Sequence, residues 1–421
     1  MLFKKVLVGA LMAGMLLTGC SAPMTGSLQR TDAQAMKAFS LASIGNAVSK
    51  VGVHQESSDN ALHLNVDGPE SFAALTEMIR SAQKAIYAEY FIWHNDKTGK
   101  SICDLLIEKK KQGLEVKVLL DFIGCHSEDG KIIDRFRAGG IEVQRYPMLT
   151  LTGIFKGSGS GITLTHRKLM IVDGTRVMTG GINIGDEYAR EGAYHDLMLQ
   201  VEGTAARDMM KEFFTDWKFA GGSNPQWKAP SDGPKLGSER VRIAVTSPSE
   251  KDRRHEWFDV LIAAIDSAQK EIDIECPYFS DDDLMTHLKA AAERGVKVKV
   301  VVAIARNDND LFKRLNVESA RQLMEAGAEI RTYPGQRFSH VKYTCIDDCW
   351  TAIGTANCDA RSFIENQEIV TVVSSEEFAS TAQAKVFDKD WAIARPMGTL
   401  KTNNMKKHLW NTFLELIDYY L

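Results

Sequence analysis

Apolar positions along the chain alternate between a helical and a strand spacing. Phe72, Leu75 and Ile79 recur at helical intervals, and the short, mostly apolar run Ile86-Tyr87-Ala88-Glu89-Tyr90-Phe91 follows with the character of a strand. A second helical stretch ends at Gly113, a residue suited to a left-handed cap, and leads into Val116-Lys117-Val118-Leu119-Leu120. A third runs into Ala138-Gly139-Gly140-Ile141-Glu142-Val143 and closes on Tyr146-Pro147. Helices alternating with apolar strands predict buried parallel strands in a sheet that helices cover.

The same order returns about 186 residues later. Ser81-Ala82-Gln83-Lys84 reappears as Ser267-Ala268-Gln269-Lys270, preceded by Phe258, Ile262 and Ile265 and followed by Ile272-Asp273-Ile274-Glu275-Cys276-Pro277. Gly295, Val298-Lys299-Val300-Val301-Val302, Ala326-Gly327-Ala328-Glu329-Ile330-Arg331 and Tyr333-Pro334 complete the repeat. The expected fold class is α/β, with two similar domains, each a mixed and mostly parallel sheet flanked by helices. Their boundaries are read as 60–220 and 239–396, with a Gly/Ser/Pro-rich linker at 221–238. The segment 397–421 is read as a C-terminal apolar helix, built from Trp410, Phe413, Leu414, Leu416, Ile417, Tyr420 and Leu421 behind Lys406 and Lys407; it either packs back on its domain or lies on a membrane surface.

The first residues follow another logic. Lys4 and Lys5 precede an apolar run from Val6 to Leu17, and Leu17-Thr18-Gly19-Cys20 comes directly after. At about 1.5 Å per residue this run is too short to cross a hydrocarbon core of roughly 30 Å. The pattern resembles a bacterial lipoprotein signal peptide over 1–19. That resemblance implies cleavage before Cys20, acylation of its sulfur and of the new amine, and a lipidated tether over 20–59 with room for one helix. Ser21 after the cysteine, in place of Asp, is the usual outer-membrane sorting signature of such proteins. The expectation is an outer-membrane lipoprotein facing the periplasm, bound to the membrane through its lipid anchor.

With 44% hydrophobic and 25% charged residues, disorder and fibre are excluded. Loss of Lys4 and Lys5 on processing would take the net charge from −4 to −6, so no basic footprint for nucleic acid is expected. The six cysteines after Cys20 fit no metal spacing and are read as buried thiols in preference to disulfides.

Both repeats converge on one string. His166-Arg167-Lys168, four residues, Asp173 in the first is His340-Val341-Lys342, four residues, Asp347 in the second. After six intervening residues each aspartate is followed by a glycine-led segment, Gly180-Gly181-Ile182-Asn183 and Gly354-Thr355-Ala356-Asn357. On a strand, residues i and i+2 share a face, so each histidine would point with its lysine into one pocket while the aspartate turns away. Asp173-Gly174 and Asp347-Asp348 are turn signals, and Asp173 and Asp347 are read as structural. Lys168 and Lys342 would bring two positive charges to that pocket, and Asn183 and Asn357 hydrogen-bond donors, a set suited to stabilising an anion.

Here the sequence resembles the phospholipase D superfamily, whose signature is this duplicated motif, over roughly residues 60–396. The stretches 181–188, 277–279 and 354–363 resemble cardiolipin synthases in particular. The resemblance implies two phospholipase D-like domains packed pseudo-symmetrically around one active site, without metal or other cofactor. One histidine attacks phosphorus to give a phosphohistidine and the other serves as acid and base; by family analogy His166 is the nucleophile and His340 the acid/base. Each needs an acceptor on its other ring nitrogen. Glu368, 28 residues after His340 in an Asn-x-Glu element, and Asp196, thirty after His166, are the candidates. Glu89 and Glu275, equivalent in the repeat, are buried carboxylates of either pocket or ion-pair role, and Tyr278 and Glu187 stand near the pocket by resemblance.

The implied activity is phosphatidyl transfer of cardiolipin synthase type on a phospholipid, with phosphatidylglycerol as donor and acceptor. A phospholipase D hydrolase releasing phosphatidic acid, and behind it a phosphodiesterase or nuclease, are the alternatives. An inactive envelope scaffold is disfavoured because both halves keep every catalytic residue type. One departure stands out: Pro147 to His166 is 13 residues longer than Pro334 to His340, through an insertion with Leu149, Leu151, Ile154, Phe155 and Gly157-Ser158-Gly159-Ser160-Gly161. It reads as a loop that dips into a bilayer or gates the pocket, or as a passive surface loop.

Overall fold

The computed structural model describes residues 25–125, 130–147, 163–228, 236–248 and 254–398. The chain divides into two compact units, residues 1–39 and 40–421. In the first, the described residues belong to the helix Thr25–Val51. Cys20, the insertion residues 149–161 and, beyond 398, the expected C-terminal helix lie outside the described residues.

Within the second unit, the segment expected to be a tether is structured. The helix Thr25–Val51 continues into it and buries Ile44 and Val48 in an apolar core. The strand β1 (Ser57–Val66) then begins the sheet. Ser40, Ile44 and Val48, at four-residue intervals, give this part of the helix a side to bury.

The first half contributes β1, β2 (Ala85–Tyr90), β3 (Glu115–Asp121), β4 (Glu142–Tyr146), β5 (Leu169–Val172), β6 (Arg176–Gly180) and β7 (Leu197–Glu202). The second contributes β8 (Glu239–Ser247), β9 (Arg254–His255), β10 (Glu271–Cys276), β11 (Lys297–Val302), β12 (Glu329–Thr332), β13 (Tyr343–Ile346), β14 (Trp350–Gly354), β15 (Glu368–Ser374) and β16 (Arg395–Pro396). Their order is β16-β12-β11-β10-β13-β14-β15-β8-β1-β7-β6-β5-β2-β3-β4, with β9 beside β8. In each half three strands run parallel, β2-β3-β4 and β10-β11-β12, and antiparallel strands carry the sheet on to the seam. The halves meet where β1 pairs β8 with a register shift between Ser57 and Asn60.

Three apolar cores hold this arrangement. Leu75, Ile79, Ile86 and Val118 belong to a core of the first half, and Ile265, Ile272, Ile274 and Val300 to the corresponding core of the second. The third draws on both halves: Leu169, Ile171 and Leu199 join Val341, Tyr343 and Ile369, with Phe213 from the helix Thr204–Phe219 and Ala379 from the helix Glu376–Lys385. Burying that shared surface fixes the two motif-bearing segments against each other.

The motif aspartates close the tight turns after β5 and β13. Asp173 and Asp347 have φ of 50° and 54°, the left-handed region that Asp tolerates better than most residues. Asp173 accepts the backbone N–H groups of Gln83, Lys84 and Ala85, and Asp347 those of Gln269, Lys270 and Glu271. The repeated Ser-Ala-Gln-Lys string is thus the docking site of the motif aspartate.

Candidate active site

The two histidines sit in extended segments that lead into β5 and β13, one turn of chain short of the strands themselves. Each segment bonds to the lead-in of a strand from the opposite half. His166 N–H donates to Gln367 O (2.9 Å) and Gln367 N–H to Leu164 O (2.7 Å); His195 N–H donates to Phe338 O (2.9 Å) and His340 N–H to His195 O (2.7 Å). The bridges Thr165–Gln367 and His195–Ser339 are related by the pseudo-symmetry of the chain.

That crossing exchanges the carboxylates between halves. His166 Nδ1 lies 2.9 and 3.1 Å from the two oxygens of Glu368, and His340 Nδ1 lies 2.7 Å from Asp196 Oδ2. Both carboxylates are buried. With Nδ1–H donated to a carboxylate, each ring presents the lone pair of Nε2. Glu368 is itself held by the hydroxyls of Ser362 (2.8 Å) and Thr355 (2.5 Å). Asp196 lies where only a glycine leaves room: a Cβ on Gly181 would come within 2.2 Å of its Oδ1.

Lys168 Nζ donates to His166 O (2.7 Å) and Lys342 Nζ to His340 O (2.6 Å), so each ammonium folds back beside its histidine. Burial is the main cause that brings Lys168 down to about 7; Glu368 opposes it and the Lys342 charge adds to it. Burial likewise lowers His166 to about 4 against the pull of Glu368, with Lys168 and Lys342 both contributing, and His340 is lowered by burial and Lys342. Glu368 stays below the usual carboxylate range in spite of its burial, because His166 and Lys168 face it. Charges from both halves therefore act on one another in a single buried site, which disfavours further cations and favours an anion.

Asn183 takes the Ile92 N–H on Oδ1 (3.1 Å) and gives one amide hydrogen to the Tyr188 hydroxyl (3.0 Å), leaving a second for an anion. Asn357 is buried; its backbone N–H meets Ser362 Oγ (3.0 Å), and its Oδ1 has no partner among the described residues. Phe91 packs edge-on against His166 with centroids 5.2 Å apart. Tyr278 gives its hydroxyl to Asp308 (2.5 Å), and Glu187 meets His94 (3.1 Å).

Behind the histidines lie two acidic clusters that sequence patterns do not show. Glu89 accepts the Thr165 hydroxyl, and fully buried Arg167 crosses to Asp216 (2.7 Å), Ser247 (2.7 Å) and Glu212 (3.3 Å). Burial and Asp216 push Glu89 well up. In the second half Glu275 accepts the Ser339 hydroxyl (2.6 Å), and the place of the arginine is taken by His195. Its Nδ1 lies 2.6 Å from Asp67 and its Nε2 2.8 Å from Asp390; burial, the largest single cause, lowers its pKa, but the hydrogen bonds and charges of the carboxylates together raise it to about 10. Tyr333 stacks on its ring at 5.2 Å. His195 is the counterpart of Gln367, one residue before the carboxylate in each copy, and that alignment is the signal that could have singled it out.

His195, Glu275 and Asp390 also bring ligand-type atoms within 4.8 Å of one another. Both ring nitrogens are committed to carboxylates, so an imidazolium already supplies the positive charge there. The six cysteines 103, 125, 276, 345, 349 and 358 are buried and unbridged.

A family profile described as "Cardiolipin synthase, PLD-like domain" matches residues 75–217 and 261–391. Cardiolipin synthase A of Pseudomonas syringae pv. syringae is 30% identical over 367 residues, 86% of this chain and 74% of that protein. Cardiolipin synthase of Alkalihalophilus pseudofirmus is 32% identical over 338 residues, 76% of this chain and 64% of that one. Among solved structures, phosphatidylserine synthase of Haemophilus influenzae Rd KW20 shares the fold, with a TM-score of 0.67 at 15% identity over 90% of this chain and all of that one.

Proposed function

The chain belongs to the family of cardiolipin synthase, PLD-like domains, and from that membership and the paired histidines we propose that it moves a phosphatidyl group between alcohols in a two-step exchange. It is an enzyme of the phosphatidyltransferase type, and cardiolipin synthesis from two phosphatidylglycerol molecules is the reaction its relatives support best.

In the first step His166 Nε2 attacks phosphorus as the P–O bond to the donor's glycerol breaks, and His340 delivers the proton that the leaving oxygen needs. In the second, His340 takes the proton of the incoming hydroxyl, that oxygen attacks phosphorus and the P–N bond breaks. Glu368 and Asp196 fix the tautomer of each ring and favour the imidazolium that each step creates. Lys168 and Lys342, held in a buried site, face the charge of the phosphoryl oxygens. Burial and Lys342 hold His340 below the ordinary histidine value, and the negative charge of a bound phosphodiester acts in the opposite direction, favouring the protonated ring that the first step needs.

One observation carries this reading: two His-x-Lys motifs whose imidazoles are each held by a carboxylate of the opposite half. The test is mass spectrometry of products after the chain meets phosphatidylglycerol vesicles, with His166→Ala and His340→Ala beside it. Cardiolipin lost in both variants supports the proposal; phosphatidic acid alone makes the chain a hydrolase, and no lipid product overturns it.

The finer placement is also proposed. Cys20 in Leu17-Thr18-Gly19-Cys20 would be acylated and hold the enzyme at the outer membrane facing the periplasm, on the surface that carries its substrate. Among the described residues no helix is long and apolar enough to cross a membrane. A Cys20→Ala chain recovered in the membrane fraction at wild-type yield would sink the anchor.

A further inference from the structure

The two sides of the active site are not alike. Beside His340 opens a cavity of about 250 Å³ whose lining includes Glu187, Arg190, Glu191, Tyr194, Arg306 and Phe338. Tyr194 and Phe338 wall both this cavity and the histidine, with ring centroids 6.3 and 5.7 Å from the His340 ring. Counting along the repeat, the positions corresponding to Arg306, Arg190, Phe338 and Tyr194 beside His166 are Gly124, Ile364, Leu164 and Asn366. Neither arginine has a counterpart there.

The arginines are exposed to the cavity and held only by backbone. Arg190 Nε donates to Asp186 O (3.1 Å) and Arg306 Nη1 to Gln336 O (2.8 Å); among the described residues no carboxylate hydrogen-bonds either one, although the charge of Arg190 reaches the Asp186 carboxylate. Carboxylates stand near them as well: Glu187 and exposed Glu191 line the cavity, Glu187 meeting His94, and Asp308 takes the Tyr278 hydroxyl, so the guanidinium groups balance acids already present and an anion must be bound by their free donors. Two guanidinium groups with donors to spare, next to an acid/base histidine, form a place for an anion that is not the one being attacked.

The proposed reaction requires such a second anion. The reacting phosphodiester lies between His166 and His340 with the two lysines. The incoming alcohol is itself a lipid, and its own phosphate sits three carbons from the attacking hydroxyl, so the site for that phosphate must lie close to His340, where the cavity shares the Tyr194 and Phe338 walls. We infer that the cavity of Arg190 and Arg306 binds the phosphate of the acceptor lipid while its terminal hydroxyl faces His340. This rests on the transferase reading above, and it makes the enzyme selective for an anionic alcohol over a neutral one. It also places the acid/base function on the His340 side, where the alcohol must stand.

Both alcohols partition from one phosphatidyl-enzyme intermediate, so their product ratio tests the subsite independently of donor binding, vesicle binding or the fraction of folded enzyme. The full chain is incubated with phosphatidylglycerol vesicles and deuterated glycerol, and cardiolipin and deuterated phosphatidylglycerol are quantified together. Arg306→Gln with Arg190→Gln should lower the cardiolipin share relative to glycerol exchange about tenfold or more, the scale of losing a charge-assisted hydrogen bond. An unchanged ratio in the double variant overturns the subsite while leaving the transferase intact. If the unaltered chain forms neither product, the transferase reading itself fails, and the subsite with it.

Discussion

His340 Nδ1 stands 2.7 Å from Asp196 Oδ2, although 144 residues separate the two and they belong to different halves of the chain. His166 and Glu368 repeat the relationship across 202 residues. Neither half holds an imidazole with its own carboxylate, so docking of the halves completes both pairs at once. A duplicated chain gains from this: a half folded alone would present a histidine without the acceptor that sets its tautomer.

Asp196→Asn and Glu368→Gln keep shape and hydrogen-bonding capacity but remove the charge that stabilises the imidazolium. Each should lower kcat by roughly 10²–10⁴-fold with KM little changed, since the loss falls on states in which the ring is charged. Steady-state kinetics beside circular dichroism checks this. Activity within twofold of wild type in either variant would remove that carboxylate from the mechanism.

His195 gives a pH-dependent contribution to stability whose sign follows from its shift. Its folded value, about 10, lies above the ordinary histidine value because Asp67 and Asp390 hold the imidazolium. The stabilisation is therefore complete below about pH 6.5 and disappears as pH rises through about 10. His195→Gln, which installs the residue found at the matching position 367, should melt several degrees lower than wild type near neutral pH. The gap should close in alkali. A gap that stays constant with pH would mean that the ring acts by packing on Tyr333 and not by its charge.

Much of this was open to a reader of the sequence, and the boundary is physical. Repetition of Ser-Ala-Gln-Lys, of the apolar strands and of the His-x-Lys strings displays the duplication, because each copy obeys the same local rules of burial and turn formation. Asp173 and Asp347 could be placed in turns from Asp173-Gly174 and Asp347-Asp348 alone. The partners of His166 and His340 could not be assigned, since counting from histidine to carboxylate runs within one copy and the contact runs between copies. Asp67, Asp390 and Arg337 meet around His195 through tertiary packing that leaves no periodic trace. The tether segment left room for one helix, and Thr25–Val51 is helical; its extent could not be read because its apolar residues keep no sustained helical period, and Ile44 and Val48 acquire meaning from the core they enter.

The motif aspartates should report on folding in place of chemistry. Asp173→Ala and Asp347→Ala each leave three backbone N–H groups without their acceptor and a Cβ-bearing residue at positive φ without its local bond. A loss of about 2–4 kcal/mol is expected for each, read as a fall in the denaturant midpoint. Specific activity of the folded fraction should hold. Lost activity at wild-type stability would give these carboxylates a part in the reaction.

The roles of the two histidines separate when the leaving group no longer needs a proton. A nitrophenyl ester of phosphatidic acid expels a stable anion, so the first step does not depend on His340, whereas the second still needs a base to activate the alcohol. In the His340→Ala chain such a donor should release one equivalent of nitrophenol per enzyme in a burst and then stall, with the phosphatidyl group on His166. His166→Ala should show no burst. Because burial keeps the free nucleophile near 4, the burst should be insensitive to acid until pH falls towards about 5, then decline as His166 protonates. A burst from the His166→Ala chain with the label on His340 would exchange the two assignments, and it would move the acceptor cavity to the nucleophile's side of the site, against the chemistry that the incoming hydroxyl requires.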